Sequence, residues 1–300
     1  MTSPDSSAAT HVPSIGGAPS HTAVATTRAE LRAAMARPEL GRCTRVAFVP
    51  TMGALHRGHA ALLDEGRERG DLLIASIFVN PLQFGPTEDL STYPRTLDAD
   101  VALCDQHGVD VVFAPTADVV YPTWPPGVTV DPGRLGAALE GTSRPGHLQG
   151  VLTVVAKLFG LVSPQVAVFG QKDYQQLVLV NQLVADLCMP IEIVGAETVR
   201  EPDGLALSSR NRHLSAAERL SAVALSRALL AGRAAGPSGP VAILSAAERV
   251  LASEPGIDVD YLALRGPDLS ESPMSGQARL LVAGRIGATR LIDNVAVQVY

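Results

Sequence analysis

The residues best placed by type and spacing to do chemistry are His56-Arg57-Gly58-His59, which stand directly after an apolar, strand-like run and where helical periodicity begins. At such a turn the unpaired backbone N–H groups and the helix dipole favour a phosphate. Two imidazoles there can donate hydrogen bonds to a phosphate oxygen whose charge grows in a transition state. Gly58 permits close backbone approach. The same spacing would also serve a solvated helix face or half of a metal site; its position at the strand-to-helix turn is what favours phosphate. Two cations stand in comparable settings. Lys172 follows the apolar run Val166 to Phe169, and Arg210 ends the run Ser208-Ser209-Arg210. Either can bind phosphate, the guanidinium bidentately, although an isolated Lys or Arg is usually a solvated surface charge. Ser208 and Ser209 offer hydroxyl donors, or a capping turn before a helix that starts near Ser215.

These groups need a scaffold, and the hydrophobic pattern describes one. A helix from Thr27 to about Arg37 precedes an apolar strand, Arg45 to Pro50, followed by a helix from about Gly58 to Gly70 and a strand, Leu72 to Val79. The second strand does not alternate, as expected of burial on both faces of a parallel sheet. Helices near Thr96 to His107, Gly150 to Leu161 and Tyr174 to Leu187 alternate with strands Val109 to Ala114, Val166 to Phe169 and Ile191 to Val194. The pattern predicts an α/β, doubly wound, parallel-sheet (Rossmann-like) domain over residues 27–198, with its ligand site beyond the carboxyl ends of the strands. Residues 199–300 read as a smaller α+β domain. It has helices near Ala216 to Ala235 and Val241 to Ala252, then strands Val259 to Leu264, Arg279 to Ala283 and Thr289 to Val297, the last two joined around Gly284 to Gly287. Residues 1–26, rich in Ser, Thr, Ala, Gly and Pro, read as a disordered extension.

Composition narrows the class. With 300 residues, 46% hydrophobic and 18% charged, the chain can bury a sizeable core. A net charge of −6 argues against nucleic-acid and anionic-membrane binding, so an anionic substrate requires a locally basic pocket. No apolar run is long enough to span a bilayer, and no secretory signal is evident. Cys43, Cys104 and Cys188 are far apart and lack metal-ligand spacing, which suggests a reducing, cytoplasmic setting.

Taken together, Pro50-Thr51-Met52-Gly53-Ala54-Leu55-His56-x-Gly-His59, Ser76-Ile77-Phe78-Val79-Asn80-Pro81-x-Gln83-Phe84, Tyr93-Pro94-Arg95, Gly170-x-Lys172-Asp173-Tyr174-Gln175-Gln176 and Ser208-Ser209-Arg210-Asn211 resemble, in order, the motifs of the pantothenate synthetases. These belong to the His-x-Gly-His nucleotidyltransferase superfamily. The resemblance covers roughly Val46 to Asn294. It implies ATP-dependent condensation of pantoate with β-alanine through a pantoyl adenylate, releasing AMP and pyrophosphate. It also implies a homodimer and Mg2+ arriving with ATP. It places ATP along Met52, Gly53, Ala54, Leu55, His56, Arg57, Gly58 and His59, with further contacts from Gly170, Gln171, Lys172, Asp173, Val199, Leu207, Ser208, Ser209 and Arg210. His59 would be the catalytic acid, with His56, Lys172 and Arg210 stabilising phosphate charge.

Gln83 and Gln176 would bind pantoate, and Gln83 β-alanine as well; a neutral amide can orient hydroxyls and a carboxylate without adding charge. Asn80 and Tyr93 are weaker candidates for shaping this pocket, and His147 is assigned no role. Asp100 and Asp173 are candidate outer contacts for magnesium, with capping or solvated roles as the alternative, and no protein metal ligand is assigned. Two positions depart from the family pattern. Gln171 stands where Glu is common, and Leu207 where Met is common. Competing readings are another His-x-Gly-His nucleotidyltransferase, which would need no amine, and a catalytically silent nucleotide-binding regulator.

Overall fold

The computed structural model describes residues 22–36, 44–85, 90–91 and 93–300. Residues 1–21 of the expected extension, Arg37 at the end of the first expected helix, and Cys43 lie outside the described residues. The chain runs β1 (Ala23–Ala25), α1 (Arg28–Met35), β2 (Val46–Thr51), α2 (Arg57–Arg69), β3 (Leu72–Ile77), α3 (Leu97–Gln106), β4 (Val111–Phe113), α4 (Ala117–Val120), α5 (Glu140–Ser143) and α6 (His147–Val162). It continues through β5 (Val166–Gly170), α7 (Tyr174–Asp186), β6 (Glu192–Ala196), α8 (Ala216–Ala234), α9 (Pro240–Ala252), β7 (Asp258–Arg265), β8 (Gly276–Ile286) and β9 (Thr289–Val299).

Strands β1 to β6 form one parallel sheet in the order β1-β4-β3-β2-β5-β6. The continuous apolar runs of β2 and β3 pair in register from Val46 with Leu72 to Thr51 with Ile77, and both are buried among helices on the two faces. The chain leaves β2 toward β3 on one side and returns to β5 on the other. The order therefore reverses between β2 and β5, where an open α/β sheet forms its binding crevice. Strand β1 corrects one expectation. Residues 22–26 belong to the folded body: Ala23–Ala25 pair with Val111–Phe113, and the Thr22 hydroxyl donates to the Val109 carbonyl at 2.7 Å. A three-residue strand is too short to show periodicity, and its pairing partner lies almost ninety residues away.

The second sheet is antiparallel, in the order β7-β8-β9, and α8 and α9 pack against it around a separate core that includes Leu225, Leu229, Ile243 and Leu280. Strands β8 and β9 are longer than the sequence pattern indicates. They pair from Gly276 with Val299 to Ile286 with Thr289, so the turn is Gly287-Ala288 rather than a loop from Gly284. Gly284, Arg285 and Ile286, expected in that loop, thus lie in the strand, where Gly284 approaches Ile257 and the Asp258 carbonyl too closely for a side chain.

Candidate active site

The carboxyl end of β2 leads into a tight turn in which Gly53 and Ala54 both have positive φ, 81° and 51°. The alanine is in a region that disfavours side chains, so surrounding contacts must hold it. Asp100 supplies them. It is buried on α3, accepts from the backbone N–H groups of Ala54 at 3.0 Å and Leu55 at 2.8 Å, and accepts from the Thr96 hydroxyl at 3.1 Å. This is the capping role among the alternatives considered for Asp100; its oxygens are engaged by the turn rather than free for a cation.

The turn delivers His56 to the N-cap of α2. The His56 Nδ1 accepts from Gly58 N–H at 3.1 Å, and the His59 Nδ1 accepts from His56 N–H at 3.3 Å. A ring nitrogen that accepts carries no proton, so both neutral imidazoles hold theirs on Nε2. The rings pack with centroids 4.2 Å apart. A Cβ on Gly58 would lie 2.9 Å from the His56 ring, which makes glycine a requirement of this motif. Burial lowers the pKa of His56 to about 4, reinforced by Lys172 and Arg212. Burial likewise lowers His59 to about 3, reinforced by His56. At neutral pH the pair therefore acts as two uncharged hydrogen-bond donors. The positive charge of the site comes instead from Lys172 and Arg210.

Both histidines line a cavity of about 230 Å³ at the sheet's reversal point. Met52 and Gly58 join them from the first motif; Gly170, Lys172 and Asp173 come from the end of β5. Val199, Leu207, Ser208, Ser209 and Arg210 close it from the segment that follows β6, and Gln83 and Gln176 also line it. Gly53, Ala54, Leu55, Arg57 and Gln171 are not among the lining residues. The first three build the turn, and Arg57 is exposed. The Gln171 side chain points between the two sheets, donating to the Gly195 carbonyl and accepting from Arg279, both at 2.8 Å. Asp173 faces the cavity 3.5 Å from the Lys172 ammonium. Burial raises its pKa, but Lys172, Arg210 and His147 outweigh that and hold it below the ordinary value.

The far end of the cavity is apolar, walled by Val151, Val154, Val155 and Leu158 of α6 together with Phe78 and Phe169. Gln83 is buried there. Its amide nitrogen contacts the Met52 sulfur at 3.0 Å, and its amide oxygen accepts from Asn80, which is held in turn by the Tyr121 hydroxyl. Helix α6 meets the Pro81–Gln83 turn so closely at Gly150 that a Cβ would lie 2.3 Å from the Leu82 carbonyl oxygen. His147 has a structural place here: its Nδ1 contacts the Gln83 carbonyl and its Nε2 contacts Arg144, both at 2.9 Å. Tyr93 also lines the cavity. Sequence reasoning missed the α6 wall and Glu197, which reaches the cavity together with Thr198. The α6 periodicity was visible, but nothing in it distinguishes a core-facing from a cavity-facing valine.

This arrangement sets an anion-receptive zone of neutral donors and two cations beside an apolar slot bearing two amides. It can therefore hold a polyphosphate against a small, partly apolar acid. A family model described as pantoate-beta-alanine ligase matches residues 23–296. The chain is 56% identical over 282 residues to a pantothenate synthetase of a Nocardioides species, covering 91% of this chain and 84% of that one. It is 56% identical over 275 residues to one of Salinispora arenicola, covering 91% and 96%. Among solved structures, pantothenate synthetase from Thermus thermophilus superposes with a TM-score of 0.84 at 49% identity, covering 91% of this chain and 98% of that one. Pantoate-beta-alanine ligase from Francisella tularensis, complexed with beta-gamma ATP and beta-alanine, gives 0.75 at 33% identity, covering 91% and 97%.

Proposed function

Since this chain belongs to the pantoate-beta-alanine ligase family and is an enzyme of that type, we propose that it drives pantothenate formation with ATP, through a pantoyl adenylate, releasing AMP and pyrophosphate. The observation that carries this reading is the convergence, in one cavity at the β2/β5 reversal, of His56, His59, Lys172 and Arg210 with Gln83 and Gln176. The ATP complex of the Francisella relative supports it. ATP lies with its phosphates against the N-terminus of α2, and its nucleoside runs along Gly170, Val199 and Leu207. Pantoate lies in the slot under Gln83 and Gln176, its dimethyl carbon against the α6 valines.

A pantoate carboxylate is ionised at neutral pH and needs no base to attack the α-phosphorus. Catalysis therefore comes from alignment and from donors aimed where charge develops. The Nε2–H groups of His56 and His59 donate to phosphate oxygens, while Lys172 and Arg210 stabilise the departing pyrophosphate. A bound triphosphate opposes the depression of the histidine pKa values, and in that state His59 can supply a proton. The β-alanine amine then attacks the acyl carbon beside Gln83, and AMP departs.

Among the described residues, no group of three or more His, Cys, Asp or Glu is placed to hold a metal. Magnesium brought with ATP would offset charge on the phosphates. Asp173 and Glu197 are the carboxylates on the wall that could receive its water shell. We place the domain boundary at residue 199, between the two sheets, and assign the enzyme to the cytoplasm as a homodimer. No described helix is long and apolar enough to cross a membrane.

Pyrophosphate–ATP exchange that requires pantoate but not β-alanine, together with pantothenate formation once β-alanine is added, tests the proposal. Transfer of AMP to another acceptor would favour a different nucleotidyltransferase, and ATP binding with no turnover would favour a silent regulator.

A further inference from the structure

The small antiparallel sheet contributes no strand to the nucleotide-binding crevice, yet two consecutive buried residues of β9 reach across to it. Asn294 is 4% exposed, and its Nδ2 lies 2.9 Å from the carbonyl oxygen of Gln171 and 2.8 Å from that of Lys172. Carbonyls only accept, so the amide nitrogen must be the atom that faces them. One side chain therefore satisfies two successive carbonyls in the Gln171–Asp173 turn that carries the Lys172 ammonium.

Its neighbour Asp293, also 4% exposed, takes the Arg200 guanidinium bidentately at 2.6 and 2.9 Å and accepts the backbone N–H of Asn294 at 2.7 Å. Arg200 directly follows Val199, which lines the main cavity. Asp293, Asn294, Lys172 and Asp173 also line a smaller cavity of about 30 Å³ beside the main one.

We propose that Asn294 is a positioning residue for adenylation, fixing the turn that presents Lys172 to the phosphates, while Asp293 braces it and ties the Val199 wall to the same strand. The small sheet thereby sets the geometry of a cation on the other domain. This rests on the placement of Lys172 against the phosphates in the proposed function. Asn294 itself touches no substrate. A displacement of about 1 Å in a group that acts on the transition state costs on the order of 100-fold in rate.

The test uses the full-length enzyme and pantoate-dependent pyrophosphate–ATP exchange. Asn294→Ala should lower kcat about 100-fold while leaving the KM values for ATP and pantoate within about 3-fold, because the loss is of transition-state alignment. In a Lys172→Ala background the same substitution should cost little more, since both act through one ammonium. Should Asn294→Ala melt too low to assay, Asn294→Ser keeps one donor and should give a folded enzyme with an intermediate rate. Exchange by Asn294→Ala at the wild-type rate, or losses that multiply in the double variant, would overturn the proposal. Wild-type exchange by Lys172→Ala would instead refute the placement of Lys172 itself.

Discussion

Replacing Asp100 by alanine should destabilise the protein and slow adenylation together, although the side chain is not among those lining the cavity. Its carboxylate accepts from two backbone N–H groups, on Ala54 and Leu55, and from the Thr96 hydroxyl. Without it, Ala54 at φ 51° loses the contact that secures its left-handed conformation, and both amides lose their acceptor. An orphaned buried N–H costs about 1–3 kcal/mol. Ala54 is buried while Leu55 is partly exposed, so the sum should fall near the lower end, at about 3 kcal/mol. For a chain of this size, whose unfolding entropy is about 2.1 cal/mol/K per residue, that corresponds to a Tm lower by about 5 °C. The same turn aims His56 and His59, and its relaxation should cost about 100-fold in kcat for pantoate-dependent exchange. Calorimetry in metal-free buffer and the exchange assay measure the two effects. A variant that melts within about 1 °C of wild type in metal-free buffer, and whose turnover is restored by added magnesium, would refute the anchoring role and point to a metal contact.

Other outcomes follow from the same geometry. The folded histidines protonate only at about 4 and about 3, whereas unfolded ones protonate near 6.5. Between these values the unfolded chain binds more protons, so stability contributed by the pair is present above pH 6.5 and lost as pH falls toward 4. Melting curves across that window should show a shallower pH dependence for the double variant His56→Gln/His59→Gln than for wild type; equal slopes would count against neutral, buried rings. Gly150→Ala should push α6 off the Pro81–Gln83 turn, raise the KM for pantoate more than that for ATP, and cost about 1–3 kcal/mol in denaturant unfolding. Gln171→Glu should change stability by no more than about 1 kcal/mol, because an ion pair with Arg279 offsets the lost bond to the Gly195 carbonyl. An enzyme markedly impaired in adenylation by that change would show that Gln171 acts inside the cavity. His59→Ala should fold normally and lose most adenylation, as read by exchange.

The parallel-sheet scaffold was legible because β2, β3 and β5 are buried on both faces and so carry unbroken apolar runs, with α2 and α7 following at helical spacing. The same logic placed His56 and Lys172 near one crevice, since both follow strands at the reversal of the sheet. What stayed hidden depends on partners distant in sequence. Asp100 sits four residues before the buried Cys104 on one face of α3, a position where an acid signals a partner, but the sequence does not say that the partner is a turn 45 residues upstream. Asn294 looks like an ordinary strand residue until the fold brings Gln171 and Lys172 to it. The Gln171 amide serves the contact between the sheets, which its place next to Lys172 in the sequence does not reveal.

The central claim is that the pantoate carboxylate attacks the α-phosphorus of ATP. Turnover of pantoate carrying heavy oxygen in its carboxylate, followed by mass spectrometry of the AMP, tests it directly. Attack by the carboxylate leaves one of its oxygens on phosphorus when the amine displaces AMP, so the account predicts one heavy oxygen in every AMP formed. AMP without label, at full conversion to pantothenate, would contradict it.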